Sequence, residues 1–341
     1  MAMIDTLKFV RGAVAKKELV PAMTHFCIEG GLIRAFNGML ALGSPIDFNI
    51  DCKPKAVDLV AAITACPDNS VPVLSMTDAG RLKIHCAAFK GYIDCVNDAD
   101  TPHVMPEGNE VAGFNGELML RALQVVEDFI GTDASRAWST GVLLRGASAL
   151  ATNNVMLIEC WVGAQWPVTV NIPRSAVAEI LRIGVPPIRA QMADRNITFH
   201  YEDGRWLRTQ LLQNDWPDTD KILNVHSAPA AVPSQLFDGL EAVEHAVDKM
   251  GRVWITGGVI RTTLTEGEGA TYDVPDIAWK GVYQVQMLQK LKGVADVVDF
   301  TLYPQPCIWY GEHKLKDKEG NVTASMPIRG AIVGMRGLET V

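Results

Sequence analysis

The chain has 341 residues, of which 48% are hydrophobic, and its 39 acidic and 31 basic side chains give a formal net charge of −8. This length predicts two or three domains with a sizeable core, so the fold needs no disulfide or metal to hold it together. The negative charge argues against a protein that coats nucleic acid by bulk electrostatics, but it leaves room for a local basic face.

The sequence predicts a protein of a reducing compartment. No stretch reaches the ~18 uninterrupted apolar residues of a membrane span, so we expect no membrane partner. Asp5 precedes the first basic residue, and a secretory signal is therefore not expected. The seven cysteines are scattered and form no C-x-x-C, which indicates buried thiols and a cytoplasmic location.

Helix-like segments, with apolar residues three and four apart, alternate with strand-like segments along the whole chain. Six times a helical stretch is followed by a group of alternating strands, which indicates six repeated units. The helical and strand stretches of these units are residues 6–17 and 23–37, 49–63 and 71–96, 116–130 and 139–160, 171–183 and 188–212, 233–250 and 252–267, and 278–293 and 297–313.

The six units pair into three tandem domains of similar length. Polar joints at residues 99–110 and 214–233 separate the domains. Pro102 and Pro217 take equivalent places in these joints, because proline cannot donate to a strand ladder and disfavours a helix before it. We predict an α+β fold in which each domain consists of two helix-plus-strands halves with antiparallel sheets. The predicted domains are residues 1–108, 109–225 and 226–341.

The Trp-Pro-Asp tripeptide at residues 216–218 has the sequence of the general-acid loop of tyrosine phosphatases. That chemistry also needs a cysteine thiolate in the pattern C-x5-R. None of the seven cysteines has an arginine six residues later, so the phosphatase hypothesis fails. Since the tripeptide lies in a joint that recurs between domains, we interpret it as a domain exit.

No other catalytic or metal-binding motif stands out. The chain has no phosphate-binding glycine loop, no H-E-x-x-H and no pair of histidines at ligand spacing. Asp47, Asp51 and Asp58 are interpreted as strand-end and helix-surface charges. We predict a protein without catalytic residues, metal or cofactor, which favours a binding or scaffold role. An enzyme would need a cluster that forms only in three dimensions.

Basic residues recur on the predicted helices. Lys8 and Arg11 lie three residues apart and therefore on one helix face. Such a lining would contact phosphates without reading a base sequence, although ordinary solvated helix faces carry similar charges. The fifth helix argues against a uniform lining, because it carries Asp238, Glu241 and Glu244. The candidate DNA-facing residues are Lys8, Arg11, Lys53, Lys55, Arg121, Arg174, Arg182, Lys290 and Lys292.

Three stretches together resemble bacterial-type sliding clamps, the β subunit of DNA polymerase III. ALATNNVMLIE (149–159) resembles the family's ATDGHRL element, VNIPRSAVAEILRI (170–183) its IPRK strand-to-helix element, and LRTQLLQNDWPDTDKIL (207–223) its exit from the second domain. GVLLRG (141–146) and SMPIRG (325–330) are also similar to family elements. The chain departs from the pattern at residues 153–156 and at Trp216. This divergence is typical of a phage-encoded member.

The resemblance implies a ring. Two copies would join head to tail as a homodimer, with helices lining the hole around double-stranded DNA and sheets outside. A DNA polymerase and a clamp loader would be the protein partners, and both would bind through short peptides in an apolar pocket between domains two and three. The residues that the resemblance assigns to this pocket are Thr152, Val155, Met156 and Leu157 on one wall and Met326 and Ile328 on the other, with IVGMR (332–336) as a second candidate for the second wall.

The sequence therefore favours a DNA sliding clamp, a non-catalytic processivity factor that tethers a replicative polymerase to duplex DNA. The alternative is a protein-interaction scaffold that keeps the clamp fold and does not enclose DNA, and the acidic fifth helix is its best support. A trimeric ring of two-domain subunits is disfavoured, because this chain holds three predicted domains.

Overall fold

The computed structural model describes residues 3–17, 20–48, 50–67, 70–96, 102–213, 215–316 and 319–337. Within these residues the chain forms short helices and antiparallel sheets. None of the described helices is long and apolar enough to cross a membrane. The helices are α1 (Met3–Val10), α2 (Ala56–Thr64), α3 (Gly116–Val126), α4 (Arg174–Ile183), α5 (Asp220–Leu223), α6 (Ser234–Val243) and α7 (Val285–Gln289).

Strands make up most of the regular structure. In chain order they are β1 (Cys27–Glu29), β2 (Leu32–Phe36), β3 (Leu40–Pro45), β4 (Val73–Met76), β5 (Leu82–Cys86), β6 (Phe89–Ile93), β7 (Asn109–Glu110), β8 (Gly141–Arg145), β9 (Ser148–Thr152), β10 (Met156–Trp161), β11 (Val170–Pro173), β12 (Arg189–Met192), β13 (Asn196–His200), β14 (Trp206–Gln210), β15 (Ala230–Ala231), β16 (Arg252–Thr256), β17 (Val259–Arg261), β18 (Thr271–Asp273), β19 (Gly281–Gln284), β20 (Val297–Val298), β21 (Cys307–Lys316) and β22 (Val322–Ile332).

The chain divides into two compact units. The first comprises residues 1–121 and 172–212, and the second comprises residues 122–171 and 213–341. These boundaries differ from the three predicted domains, because β-sheets join strands that are far apart in sequence. The three-domain division stays a prediction, and residues 99–101 of its first joint lie outside the described residues.

The first unit contains a seven-stranded sheet in the order β1-β2-β3-β14-β13-β12-β7 and a three-stranded sheet in the order β4-β5-β6. Antiparallel pairing of β3 with β14, with Ala41 opposite Arg208, joins the two halves of the larger sheet. Helix α1 packs against α2 and β3. Leu7, Leu42 and Phe199 are fully buried in this unit.

The second unit contains an eight-stranded sheet in the order β11-β8-β9-β10-β22-β21-β20-β15 and a four-stranded sheet in the order β18-β17-β16-β19. Pairing of β10 with β22, with Leu157 opposite Ala331, joins the two halves of the larger sheet. Helix α6 packs against α7, β17 and β18. Both units therefore use one plan, in which a hairpin from early in the unit pairs with a strand from its end.

Helix α1 is shorter than the sequence predicts, because a second helix packs against its carboxyl end. The Arg182 guanidinium of α4 donates to the Phe9 carbonyl at 2.9 Å and to Glu179 Oε1 at 2.8 Å. A Cβ atom at Gly12 would lie 1.8 Å from Glu179 Oε1, so a larger residue at this position would displace the carboxylate that Arg182 binds. The predicted helix over residues 6–17 therefore ends at Val10, and a 3₁₀ turn (Arg11–Ala13) follows it.

In each unit, arginines of the sheet hold a connecting segment against its face; we call residues 102–110 the first connector and residues 215–233 the second connector. In the first unit, Arg34 lies 3.2 Å from His103 Nδ1, and Arg208 donates to the Met105 carbonyl and to Glu107. In the second, Arg145 donates to Thr219 Oγ1 and Arg329 donates to Asn224 Oδ1, both at 2.9 Å. Each predicted domain exit is thus fixed to the sheet that it leaves.

Several predicted helices are replaced in part by other structure. The predicted helix over residues 278–293 is strand β19 followed by the short helix α7, because Val282 and Tyr283 pair with strand β16. The predicted helix over residues 233–250 ends at Val243 and continues as one 3₁₀ turn. Helix α5 lies inside the stretch that was interpreted as a polar exit. This helix is too short to show a helical period in the sequence.

A buried carboxylate binds the carboxyl-terminal part of the second connector. Asp299 is 3% exposed, and it accepts hydrogen bonds from the amides of Ala228 at 2.7 Å and Thr301 at 3.1 Å and from the Thr301 hydroxyl at 2.5 Å. Burial alone would raise the pKa of Asp299, but the bonds from Thr301 and Ala228 outweigh it and lower the pKa. The ionised form is therefore the one that the fold stabilises.

We expect Asp299→Asn to lower the free energy of unfolding of the second unit by about 2 kcal/mol at pH 7, since hydrogen bonds to a charged group are lost. The folded-state pKa lies below the unfolded value, so the wild-type advantage is present above about pH 4 and is lost as the pH falls further. Urea unfolding at pH 7 and at pH 3.5 measures both effects. The exposed Asp296, changed to asparagine, is the control, and an equal loss for both variants would contradict the expectation.

Candidate functional site

The second unit contains a cavity of about 150 Å³ above its eight-stranded sheet. It lies where the hairpin of β9 and β10 meets the end of β22 and the second connector. Such a volume admits one small aromatic or aliphatic group, since a cavity of about 150 Å³ holds benzene. Its wall is formed by Arg136, Trp138, Thr152, Asn154, Val155, Met156, Leu157, Trp216, Pro217, Thr219, Ile222, Pro306, Ala331 and Val333.

A tight turn between β9 and β10 shapes one side of the cavity. The Asn153 side chain accepts from the amides of Val155 at 3.0 Å and Met156 at 2.8 Å. The Thr152 hydroxyl donates to the Met156 carbonyl at 2.7 Å and accepts from the Asn154 amide at 3.0 Å. Asn154 has a φ of 70°, which asparagine tolerates better than most residues. This turn directs Val155 into the cavity wall.

Two tryptophans form the opposite side. The rings of Trp138 and Trp216 meet edge to face, with centroids 5.3 Å apart and planes at 68°. Trp216 and Ile222 pack on a buried cluster of Leu157, Leu223, Ile308 and Ala331. The aromatic wall is therefore supported by the core of the unit.

The Trp-Pro-Asp tripeptide forms part of this wall and of the short helix beside it. Asp218 is exposed, accepts from the Asp220 amide at 3.2 Å at the start of α5, and pairs with Lys221 at 3.4 Å. Pro217 lines the cavity next to Trp216. The tripeptide thus shapes a binding surface and a helix start, where a phosphatase would use it as an acid.

The chemistry of the wall suits an apolar ligand with some polar or acidic character. The lining carries one positive charge, on the exposed Arg136, and no negative charge. The Nε1 atom of Trp216 is buried and has no hydrogen-bond partner among the described residues. A short peptide with aliphatic or aromatic side chains has this combination of groups.

The structure places four of the six predicted pocket residues together: Thr152, Val155, Met156 and Leu157 all line the cavity. Met326 and Ile328 do not line it. They lie on β22 but point to the opposite face from Ala331 and Val333, because side chains alternate along a strand, and they are only 5% and 4% exposed. On β22 the cavity is lined by Ala331. Val333, which directly follows β22 and belongs to the second candidate segment, 332–336, also lines it. Trp138 was missed, since its 3₁₀ turn has no periodic signal.

The candidate DNA-facing residues differ in their surroundings. Lys8 and Arg11 are exposed on one face of the first helix and its 3₁₀ turn, and Lys292 is exposed after α7. Arg174 is exposed at the start of α4, whereas Lys53 and Lys55 are half-buried before α2. Lys8, Arg11, Arg174 and Lys292 therefore carry exposed positive charge on or beside a helix.

Three other candidates already bind protein groups. Arg121 pairs with Glu117 at 3.4 Å, one turn away on α3. Arg182 holds the end of α1, as described above. Lys290 donates to the Asp128 carbonyl at 2.6 Å and lies 5.9 Å from the centroid of the Phe129 ring. These contacts give each cation a role within the chain.

Acidic residues occupy other exposed helix faces. Asp238, Glu241 and Glu244 are exposed on α6 and the 3₁₀ turn that follows it. Asp58 is exposed on α2. The described helices therefore present a patchy charge pattern. Among the same described residues, no group of three or more histidine, cysteine or acidic side chains could hold a metal ion.

The fold is that of solved bacterial clamps. A DNA polymerase sliding clamp from Pseudomonas aeruginosa has a TM-score of 0.78 and 15% identity over 98% of this chain and 97% of its own. Caulobacter crescentus pol III beta gives 0.79 and 16% over 98% of both chains. The beta subunit of DNA polymerase from Streptococcus pyogenes gives 0.76 and 15% over 98% and 97%. The sequence matches no protein-family model and no curated protein. The predicted clamp fold is confirmed.

Proposed function

We propose that the protein is a sliding clamp, a non-catalytic cytoplasmic protein that encircles duplex DNA as a head-to-tail homodimer and tethers a DNA polymerase. The observation that carries this proposal is the likeness to polymerase clamps over nearly the whole of both chains, at TM-scores of 0.76 to 0.79. The likeness extends over 98% of the chain, so the proposal concerns the whole of the given sequence. A phage origin and a clamp loader as partner belong to the same proposal.

Ring closure would use the smaller sheet of each unit. In the three-stranded sheet of the first unit, β4 has no second neighbour among the described strands, and it exposes Val73 and Met76. The four-stranded sheet of the second unit likewise ends at β18 and β19. Pairing the first sheet of one copy with the second sheet of another would satisfy exposed strand edges, which otherwise favour aggregation.

Partner binding would use the cavity of the second unit. The two tryptophans, Val155 and Leu157 supply an apolar wall, and the exposed Arg136 supplies a polar contact at its edge. We propose that short peptides of the polymerase and of the loader compete for this cavity. Such competition would let the same ring be loaded first and used for replication afterwards.

The topological part of the proposal is tested on nicked circular duplex DNA. We expect a dimer by sedimentation, and we expect protein loaded on the circle to remain bound at 0.5 M salt. Cutting the circle once should release it, because a closed ring leaves only over a free end. A stable monomer, or equal retention on circular and linear DNA, would contradict the ring.

Charge reversal separates the clamp from the scaffold. Changing Lys8 and Arg11 together to glutamate should weaken binding to duplex DNA about tenfold in low salt. It should also reduce the slope of log K against log salt by about 2, since each phosphate contact contributes about 0.9. Fluorescence anisotropy with a labelled duplex measures both quantities. The matched control reverses Lys90 on β6 and Arg195 beside β13, two exposed charges carried by the sheets.

The scaffold remains the second candidate, on the strength of the exposed acids of α6. A face that carries Asp238, Glu241 and Glu244 repels phosphate at close range. If the Lys8 and Arg11 reversal and its control weaken DNA binding equally or not at all, the scaffold is favoured.

A further inference from the structure

The first unit contains a second cavity, of about 210 Å³, above its seven-stranded sheet. It lies where the hairpin of β2 and β3 meets the end of β14 and the first connector. Its wall is formed by Phe36, Met39, Ala41, Val104, Asn196, Arg208, Thr209 and Gln210.

The two hairpins are equivalent in register. Phe36 pairs with Ala41, and Thr152 pairs with Leu157, so each partner recurs 116 residues later. The sequences AFNGMLAL (35–42) and ATNNVMLI (151–158) then align without a gap. The turns match as well, since Asn37 Oδ1 accepts from the amides of Met39 and Leu40 at 3.1 and 3.0 Å, as Asn153 does in the second unit.

The strands that pair with these two hairpins, β14 and β22, are also equivalent in register. Arg208 lies opposite Ala41 in the first unit, and Ala331 lies opposite Leu157 in the second. Two residues further, the Gln210 amide donates to the Met39 carbonyl at 3.1 Å. The amide of Val333 donates to Val155 at 2.8 Å in the same way. The two cavities are therefore built on the same positions of a repeated unit.

The substitutions between the repeats change the chemistry of the wall. Phe36 stands where the second unit has Thr152, and Arg208 stands where it has Ala331. The cavity thereby gains an aromatic ring and a guanidinium group whose side chain is 15% exposed. The charged residue of the lining is Arg208, and Glu107 beside the cavity pairs with it. The charge complement of this wall is an acidic group beside an apolar one.

We propose that the first-unit cavity is a second peptide-binding site, selective for a protein segment in which an acidic side chain neighbours an aliphatic or aromatic one. The proposal rests on the proposed peptide-binding role of the second-unit cavity for the class of ligand, and on the repeat for the site. The acidic side chain pairs with Arg208, and its apolar neighbour packs on Phe36, Met39 and Ala41.

Glu107 of the first connector acts as an internal competitor. Its Oε1 atom accepts from Arg208 and, at 3.4 Å, from Asn196 Nδ2, and its side chain is 52% exposed. A peptide carboxylate exchanges for that of Glu107 without leaving Arg208 unpaired. Glu107→Gln removes the competing charge, so we expect it to tighten binding of an acidic peptide at this site about threefold to tenfold.

Each cavity contains one methionine that reports on it: Met39 lines the first and Met156 lines the second. The experiment titrates protein labelled with ¹³C at the methionine methyl groups with the probe acetyl-Glu-Leu-Leu-Phe-amide. We expect two saturable shifts, one at each methyl. Replacing glutamate by lysine in the probe should weaken the Met39 response about tenfold.

Gln210 and Val333 occupy equivalent exposed positions at the rims of the two cavities, so they provide a matched pair of blocking variants. Gln210→Trp should abolish the Met39 shift and leave the Met156 shift unchanged, and Val333→Trp should do the reverse. Unchanged signals of the other methionines show that each variant is folded.

The outcomes separate the two proposals. Saturation at Met156 without any response at Met39, or a Met39 response that survives Gln210→Trp, overturns the second site and leaves the proposed function standing. A response at Met39 alone supports the second site and overturns the proposed role of the second-unit cavity. A response at neither methyl overturns both.

Discussion

Replacing Gly330 with alanine should lower the free energy of unfolding of the second unit by at least about 3 kcal/mol, because the site has no room for a methyl group. Gly330 lies on β22 between Ile158 of β10 and Trp309 of β21. An added Cβ atom would lie 2.1 Å from the Leu157 carbonyl oxygen and 2.2 Å from the Trp309 ring. Contacts this short force the neighbours to move.

Neither neighbour can move cheaply. Trp309 is fully buried, and its ring stacks on Phe129 with centroids 6.1 Å apart. The Leu157 carbonyl belongs to a strand held between β9 and β22. Displacing it would shift Leu157 and Ala331, which line the cavity, so peptide binding should be lost together with stability.

Urea unfolding followed by tryptophan fluorescence measures the effect. Ser325→Ala on the same strand is the control, because Ser325 is exposed and the change should stay within about 0.5 kcal/mol of wild type. A Gly330→Ala variant as stable as this control would show that β21, β22 and β10 are not packed as closely as described.

The local part of the fold could be predicted from the sequence. The helix predicted over residues 171–183 has a clear apolar period, and it was found over Arg174–Ile183, directly after strand β11 (Val170–Pro173). A group of alternating strands was also predicted over residues 139–160, and β8, β9 and β10 were found there. Short-range periodicity and turn residues are enough for such elements.

Non-local pairing was not predictable from these signals. The joins of β3 to β14 and of β10 to β22 connect strands more than 150 residues apart, and no local pattern encodes their register. This is why the two compact units cut across the predicted middle domain. The family resemblance assigned Met326 and Ile328 to the cavity, but they lie on the other face of β22. Which face a residue of β22 occupies depends on the register of this strand against β10, which the sequence does not encode locally.

The internal repeat of the sequence predicts the repeated units, but it does not by itself identify equivalent residues within them. The recurrence of helix-plus-strands units was recognised, but the match of residues 35–42 with 151–158 is too short to be convincing without the register. The structure supplies the register and makes Asn37 and Asn153 equivalent. The match then locates both cavities, including one that the family resemblance does not mention.

Trp216→Ala should weaken binding of a fluorescein-labelled Glu-Leu-Leu-Phe-amide probe to the second-unit cavity by about 30-fold, which corresponds to about 2 kcal/mol. The variant carries Gln210→Trp as background, so that only this cavity binds. Trp216 contributes one of the two indole rings of the wall. Its loss removes apolar area that would contact the bound peptide.

The variant also loses stability, because Trp216 packs on the buried cluster and meets Trp138 edge to face, a contact worth about 1 kcal/mol beyond the area that it buries. Trp161→Ala is the matched control, since Trp161 is 53% exposed at the end of β10 and does not line the cavity. Fluorescence anisotropy gives the dissociation constants, and urea unfolding of the same samples gives the stability. Equal affinity of the two variants for the probe would mean that peptides bind elsewhere, because a wall that loses its main aromatic ring cannot keep an apolar ligand with unchanged affinity.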